Sequence, residues 1–402
     1  MKVPVHDRVL TINGGSSTIK FAAFDVDGAP KRLLTGHLEN IGRPEATLEA
    51  TDIARSQSHR VTMRAADHRE AAHRLIDWLG EWSGEARFQS IGHRVVHGGV
   101  ALNRHQPVTP DLMDELRRMQ PLDLAHLPRE IALVEAFHER FPGAAQIACF
   151  DTVFHTGLPR LAQLLPIPRR YFDAGVRRFG FHGLSYAYLL EEMRRIDRAA
   201  SGGRMILAHL GSGASMAALR QGVPVDTSMA FTPVSGLMMG TRPGDLDPGV
   251  LIYIMRTQKL APEQMDDFVS RCCGLAGVSE GSSDVRELLA RRDADERARD
   301  AFDLFCYQAK KWIGAYAAAL GGLDTLVFSG GIGEHSPEVR AAVCDGLEFL
   351  GIALDRDLNQ HCTGKAGLIS TRDSRAAVRV IPTDEELMIA RIVVDLTTGK
   401  AD

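Results

Sequence analysis

Leu10-Thr-Ile-Asn-Gly-Gly-Ser-Ser-Thr-Ile-Lys-Phe-Ala-Ala-Phe24 and Leu207-Ala-His-Leu-Gly-Ser-Gly-Ala-Ser-Met-Ala-Ala-Leu219 carry one pattern: an apolar run, a turn of small residues, and a second apolar run. Each reads as strand, tight turn, strand. A turn built from Gly and Ser lets backbone N–H groups and hydroxyls converge on a phosphate, because glycine has no Cβ to hold a ligand off. Either segment alone is as readily an ordinary β-hairpin. Two of them, one in each half of the chain, point to a duplicated domain that clamps a single nucleotide.

Around them short apolar runs bounded by Gly alternate with longer helical patterns, the mark of an α/β protein. Strands are predicted over 9–13, 21–26, 90–96, 145–150, 205–210, 215–219, 325–329 and 378–381. Helices are predicted over 69–82, 110–120, 128–140, 184–197, 262–271, 294–320 and 337–350.

The 402 residues are 45% hydrophobic, with Lys+Arg 47 against Asp+Glu 51 and a net charge of −4, enough for two domain cores. That balance gives no reason to expect nucleic acid or a membrane surface as partner, so a small molecule is expected. Only eight of the basic residues are lysine, and none lies between Lys31 and Lys259. Any anion handled there is held by Arg, His or backbone N–H groups, which makes Lys20 conspicuous. The six cysteines form no C-x-x-C pair and no zinc pattern, as expected of reduced thiols in a cytoplasmic protein. Lys2, Asp7 and Arg8 interrupt what a signal peptide would need as an apolar stretch, and no run is long enough to span a membrane.

Familiar nucleotide motifs are excluded. No G-x-x-x-x-G-K-[ST] occurs, Ser336 stands where a Rossmann fingerprint after Gly330 would want its third glycine, and there is no protein-kinase H-R-D or D-F-G set. Gly330-Gly-Ile-Gly333 is expected to be a glycine turn at a strand end, suited to a flat ring or a phosphate.

Other stretches carry a resemblance that runs almost end to end: Gly92-His-Arg-Val-Val-His-Gly-Gly99, Phe150-Asp-Thr-Val-Phe-His155, Phe179-Gly-Phe-His-Gly183, Asp226-Thr-Ser-Met229, Gly240-Thr-Arg-Pro-Gly-Asp-Leu-Asp-Pro248, Ser282-Ser-Asp-Val-Arg286, Ser329-Gly-Gly-Ile-Gly-Glu334 and Pro382-Thr-Asp-Glu-Glu386. Together with the two hairpins, they resemble the acetokinase family of the actin, Hsp70 and sugar-kinase superfamily. The resemblance implies an α/β fold of two RNase-H-like (actin-like ATPase) domains with the nucleotide in the interdomain cleft. The expected division is 1–150 with a returning C-terminal helix 385–402, and 151–384. It implies transfer of the ATP γ-phosphoryl group to a short carboxylate, giving ADP and acyl phosphate with Mg²⁺, and a homodimer.

A carboxylate is ionised at neutral pH and needs no base, so the difficulty is to bring two anions together and neutralise the transferring group. Arg94 resembles the family's carboxylate-binding arginine. Arg242 resembles the one that contacts the transferring phosphate, where planar bidentate geometry suits an oxyanion. Without the motif most of the 39 arginines are surface charge. His182 resembles the histidine that bonds the phosphoryl group, although a lone His beside Phe is more often a core residue. Asp151, at a strand end, matches the catalytic acid, acting on the metal's water shell or on the substrate arginine. Asn13 and Glu385 resemble the magnesium-linked pair, with Glu386 an adjacent alternative; an acidic residue at a helix start is otherwise simply favoured by the macrodipole. Ser16, Thr18 and Lys20 complete the first phosphate turn, and His209, Leu210, Gly211, Ser212 and Gly213 form the second. Asp284, Val285 and Arg286, with Gly331, Ile332, Gly333, Glu334 and His335, resemble the adenosine-binding segments.

Four positions depart from the family pattern. Ser212 replaces Asn; His-Asn-Pro reads His126-Leu127-Pro128; and the run after His182 reads Gly183-Leu184-Ser185-Tyr186, which is expected to remove polar groups around the site. Ala125 stands where Leu commonly lies beside the acyl methyl, the other walls being Val96, Phe181 and Pro233. Leu to Ala frees room for one or two methylenes, each worth about 0.8 kcal/mol if buried, so propionate is expected to be accepted beside acetate. The competing readings are a propionate- or butyrate-type kinase and a non-catalytic ATP-binding regulatory module, which the fold by itself does not exclude.

Overall fold

The computed structural model describes residues 8–15, 17–84, 88–123 and 126–399. The chain forms two compact units, 1–153 with 384–402, and 154–383.

The first unit is built on β1 (Arg8–Gly14), β2 (Ile19–Asp25), β3 (Lys31–Glu39), β4 (Ala46–Asp52), β5 (Gln57–Met63), β6 (Phe88–Val95), β7 (Gln106–Pro107) and β8 (Ala145–Phe150). These make one sheet in the order β5-β4-β3-β2-β1-β6-β8-β7. β1 to β5 run as an antiparallel meander, while β6 and β8 are added parallel to β1. Leu10, Ile12, Ile19 and Phe21 pack against Leu75 and Ile76 of helix His68–Ser83 and against Leu133 and Phe137 of helix Leu127–Arg140.

Helix Glu385–Thr398 lies on β1 and β6. It buries Ile389 and Val393 completely, each worth about 1.5–3 kcal/mol of transfer free energy. The approach depends on Gly92: a Cβ there would come within 2.3 Å of Ile389 Cγ2 and 2.7 Å of Val393 Cγ2. Asp384 caps this helix by accepting from the Leu387 N–H at 3.0 Å, and Arg32 pairs with the same carboxylate. The cap and the close packing set Glu385 and Glu386 beside Asn13, near the end of β1.

The second unit holds β9 (Arg204–Leu210), β10 (Ala214–Arg220), β11 (Val223–Thr227), β12 (Thr325–Ser329), β13 (Gly367–Leu368) and β14 (Ala377–Val380). Their order is β11-β10-β9-β12-β14-β13. Three antiparallel strands are again followed by two parallel ones. The central order β3-β2-β1-β6-β8 of the first unit recurs here as β11-β10-β9-β12-β14, the RNase-H-like arrangement, and the duplication read from the two hairpins is therefore one of whole sheets. Tyr186, Leu189 and Met193 of helix Gly183–Ile196 pack on Met205, Leu207 and Leu219. Helix Glu296–Leu320 also packs on β9 and β10.

Several elements differ from expectation. β3, β4 and β5 were not predicted: the segment is rich in charged and hydroxyl residues, β5 is almost wholly unburied, and the alternation of β4 is carried mostly by small alanines. The helix expected over 337–350 ends at Cys344, just before Gly346 takes a left-handed φ of 75°, and resumes only as a short 3₁₀ turn at Glu348–Leu350. Gly330–His335 is a helix rather than a turn.

Gly92→Val is expected to push helix Glu385–Thr398 off the sheet and lower the melting temperature by several degrees, consistent with about 1–3 kcal/mol of overpacking. Thermal unfolding checks this, and Ile389→Ala placed in the same chain should recover part of the loss.

Candidate active site

In the first unit, three strand ends meet at one guanidinium. Arg94 on β6 donates from Nε and Nη2 to Asp151 Oδ2 at 3.0 and 2.6 Å, and from Nη1 to the Gly14 carbonyl at the end of β1 at 3.2 Å. Nη1 also lies 3.4 Å from Oε1 of Glu130, whose Oε2 accepts from the Val96 N–H at 2.9 Å. Asp151 is fully buried and the Arg94 side chain is 13% exposed, so this is an interior ion pair that keeps a little contact with solvent. Burial alone would push the arginine down, but Asp151 and Glu130 outweigh it and hold the charge more firmly than usual. Burial drives the Glu130 carboxyl the other way, up to about 8, against the opposing pull of Arg94 and the Val96 amide.

The first turn closes through the Gly15 N–H donating to the Thr18 carbonyl at 2.7 Å. Gly15 has no room for a side chain, since a Cβ would sit 2.6 Å from Thr18 Oγ1. Lys20 is not in the turn: it lies on β2 opposite Asn13, with an exposed side chain. Asn13 donates to Glu385 Oε2 at 2.9 Å and to Glu386 Oε1 at 3.4 Å, which leaves its own carbonyl oxygen as an acceptor. Among the described residues there is no group of three His, Cys, Asp or Glu that could cage a metal. A few hard oxygens of this kind fit a Mg²⁺ that keeps most of its water.

In the second unit the glycine turn after β9 gathers the cations. A Cβ on Gly213 would meet Arg242 Nη2 at 2.7 Å and His182 Nε2 at 3.2 Å, so both groups close on bare backbone. Arg242 is braced by Nη1 donating to the Pro233 carbonyl at 2.7 Å. The His182 ring stacks on His209 with centroids 4.3 Å apart, and its Nδ1 lies 2.8 Å from Ser215 Oγ. His209 Nδ1 is 2.9 Å from Ser185 Oγ. His182 adopts a left-handed φ of 57° at the start of helix Gly183–Ile196, a conformation a non-glycine residue holds only when its surroundings enforce it. Gly240 donates to the Ser212 carbonyl at 3.0 Å, and a Cβ on it would meet Ser283 at 3.5 Å. Gly331 N is 3.7 Å from where a Gly211 Cβ would stand, and Gly331 itself faces open space. The second turn, the Ser282–Arg286 stretch and the Gly330–His335 helix therefore come together.

Some expected roles narrow. The Glu334 carboxylate is buried and accepts from the Gly330 and Thr383 N–H groups at 2.8 and 3.0 Å, and its backbone carbonyl accepts from Arg340 Nη1 and the Gly364 N–H, both at 3.1 Å, so this residue holds the segment together. Val285 is buried, while Asp284 caps its helix and pairs with the exposed Arg286 at 2.6 Å. Val96 is in the first unit, Phe181 and Pro233 in the second, and all three are buried. Ser16 and Ala125 lie outside the described residues. Leu127 and Leu184 are core residues, at 0% and 1% exposure, and Tyr186 is equally buried with its hydroxyl on the Ser215 Oγ that holds His182. These departures fill interior space instead of stripping the site.

Glu130 and Ser215 escaped the sequence reading. Ser215 is the second residue of β10 and Glu130 lies in the first turn of helix Leu127–Arg140, and both act through another side chain, for which local sequence has no signal.

The acetokinase family model matches residues 8–391. The chain is 41% identical over 400 residues to the acetate kinase of Rhodopseudomonas palustris (strain TIE-1), covering 98% of this chain and all of that one. The crystal structure of Porphyromonas gingivalis acetate kinase superposes with a TM-score of 0.86 at 36% identity, covering 97% of this chain and 100% of that chain. A propionate kinase from Francisella tularensis gives 0.89 at 30% identity with the same coverage.

Burial pushes His93 and His155 down to about 4. Because the folded form binds these protons less readily than the unfolded chain, their stabilising effect is full above about pH 6.5 and lost as pH falls towards 4. In thermal or denaturant melts across that window, His155→Gln should make the fall in stability shallower by about 1.4 kcal/mol per pH unit.

Proposed function

The chain belongs to the acetokinase family, and from that membership we propose that it transfers the γ-phosphoryl group of ATP to acetate, and to propionate, giving acyl phosphate and ADP reversibly. The observation that carries this reading is the buried guanidinium of Arg94, held in plane by Asp151 while its side chain keeps 13% exposure. A nucleotide-binding module without turnover needs phosphate contacts but no such receptor for a carboxylate.

Arg94 orients the substrate carboxylate and offsets its charge. Asp151 fixes the plane of the guanidinium by accepting from Nε and Nη2; no proton has to be removed from the nucleophile. Arg242 and His182, converging on the bare backbone of Gly213, stabilise the equatorial oxygens of the transferring phosphoryl group. The Gly15–Thr18 turn with Lys20 and the turn from His209 to Gly213 are the segments that contact ATP phosphates in this reading, and the 284–286 and 331–335 segments take the adenosine. Mg²⁺ would be held by Asn13 and Glu385, and when bound it neutralises charge on the phosphates. The free state of all six cysteines supports a reducing, cytoplasmic setting, and no helix among the described residues is long and apolar enough to cross a membrane.

A second copy of this chain is the partner we propose. Helix Pro248–Gln258 buries none of its residues, and with Leu246 it exposes Val250, Ile252 and Tyr253, the last 68% exposed. An apolar helix left in water is the signature of a surface that another subunit covers.

With ATP, Mg²⁺ and acids of two to four carbons, acyl phosphate formation is expected for acetate and, within tenfold in kcat/KM, for propionate. Arg94→Ala and Arg242→Ala should each cost about 10²–10³-fold, and chelating the metal should stop turnover. No product from any acid would overturn the enzyme reading, and a preference for acetate above tenfold would remove propionate from it. In light scattering the chain should have twice its monomer mass, and Tyr253→Asp with Ile252→Asp should halve it; a parent monomer would refute the dimer.

A further inference from the structure

Glu130 is a carboxyl that touches both Arg94 and the backbone of Val96. It is 3% exposed. Through Oε2 it holds the Val96 N–H at 2.9 Å, and through Oε1 it meets Arg94 Nη1 at 3.4 Å. A guanidinium has five N–H groups. Asp151 takes one on Nε and one on Nη2, and Gly14 and Glu130 take the pair on Nη1, so a single N–H on Nη2 is uncommitted. An incoming carboxylate that grips the guanidinium with two oxygens must recover the Nη1 hydrogen from Glu130, whose contact is the longest of the four.

Charge leads to the same place. With Asp151 and Glu130 both ionised, two buried anions face one cation, and a third anion is repelled. The charged groups around Glu130 are Arg94 from β6, Asp151 from the end of β8, and Asp123 from the loop ahead of its own helix; Asp123 is itself paired with His126, and Glu385 acts on Arg94 from the C-terminal helix. Removing one negative charge restores balance, and Glu130 is the group that gives it up: Asp151 makes the two shortest bonds to Arg94.

We propose that Glu130 is a proton-carrying positioning residue: neutral, it keeps Val96 in place, releases Nη1 and turns its own O–H toward the substrate carboxylate; ionised, it competes with the substrate for Arg94. Carboxylate binding then takes up one proton from solvent whenever Glu130 starts ionised. The upward push that burial gives this carboxyl, to about 8, places the change within reach of experiment. The inference rests on the reading of Arg94 as the carboxylate receptor, and the test separates the two.

Initial rates of the full-length enzyme with acetate varied at saturating ATP and Mg²⁺, from pH 6.5 to 9.5, are to be measured for the parent, Glu130→Gln, Glu130→Ala and Arg94→Ala. The parent KM for acetate should be flat below about pH 8 and rise about tenfold per unit above it, one proton being linked to one substrate. Glu130→Gln, which still accepts from Val96 but cannot ionise, should keep the low KM throughout, with kcat and the KM for ATP within about threefold of the parent. Glu130→Ala should raise KM at every pH. A flat parent profile, or the same rise in Glu130→Gln as in the parent, overturns the inference, and the parent profile decides alone should the variants not fold. If Arg94→Ala leaves the KM for acetate unmoved, the receptor reading falls and this inference with it; if Arg94→Ala raises KM while Glu130→Gln still follows the parent, only the inference falls.

Discussion

The buried pair of Arg94 and Asp151 constrains the first unit more than any other contact. It ties the ends of β6 and β8 together and reaches the Gly14 carbonyl at the end of β1. Such a pair is a poor source of stability, because stripping water from two ions costs several kcal/mol each before their attraction repays it. Its presence, with a second carboxylate alongside, fits the proposed receptor, which would meet an anion with a fixed, already desolvated cation. The packing nearby obeys the same demand: Gly92 gives up its side chain so that helix Glu385–Thr398 can press its N-terminus against Asn13.

The second unit solves the complementary problem with the same sheet. Where the first unit ends β1 in a turn that leads to Lys20, the second ends β9 in a turn stripped to Gly-Ser-Gly, and the space this leaves is filled by Arg242 and His182. The stacked imidazoles of His182 and His209, each anchored at Nδ1 by a serine hydroxyl, point fixed dipoles at one spot without relying on mobile lysines. The strained φ of His182 is what this precision costs.

Comparison of elements shows where sequence pattern was informative. β1, β6, β8, β9 and β12 are short apolar strands buried on both faces, and their runs and flanking glycines were visible. β3 to β5 were not: β5 is exposed along almost its whole length, and the alternation that β4 does carry rests on Ala46, Leu48 and Ala50, two of them too small to stand out as an apolar period. Lys20 was read as part of the turn, whereas the pairing register sets it on the strand opposite Asn13. Leu127 and Leu184 looked like losses from the site and are core packing, while Tyr186 is buried with its hydroxyl on the Ser215 Oγ that holds His182.

The sequence by itself determined the duplicated α/β architecture, the two glycine turns and the family, and through the motifs shared with that family it pointed to Arg94, Asp151, His182 and Arg242 as candidate working residues. The turns follow from local chemistry, glycine where backbone must approach a ligand; the four side chains follow from the resemblance. The tertiary structure alone decided what surrounds them: that Asp151 and Glu130 share one guanidinium, that Tyr186 supports His182 through Ser215, and that Gly92 makes room for the helix carrying Glu385. Each of these joins residues far apart in the chain, and a side chain that acts through a distant partner leaves no periodicity, turn signal or spacing in the sequence from which it could be read.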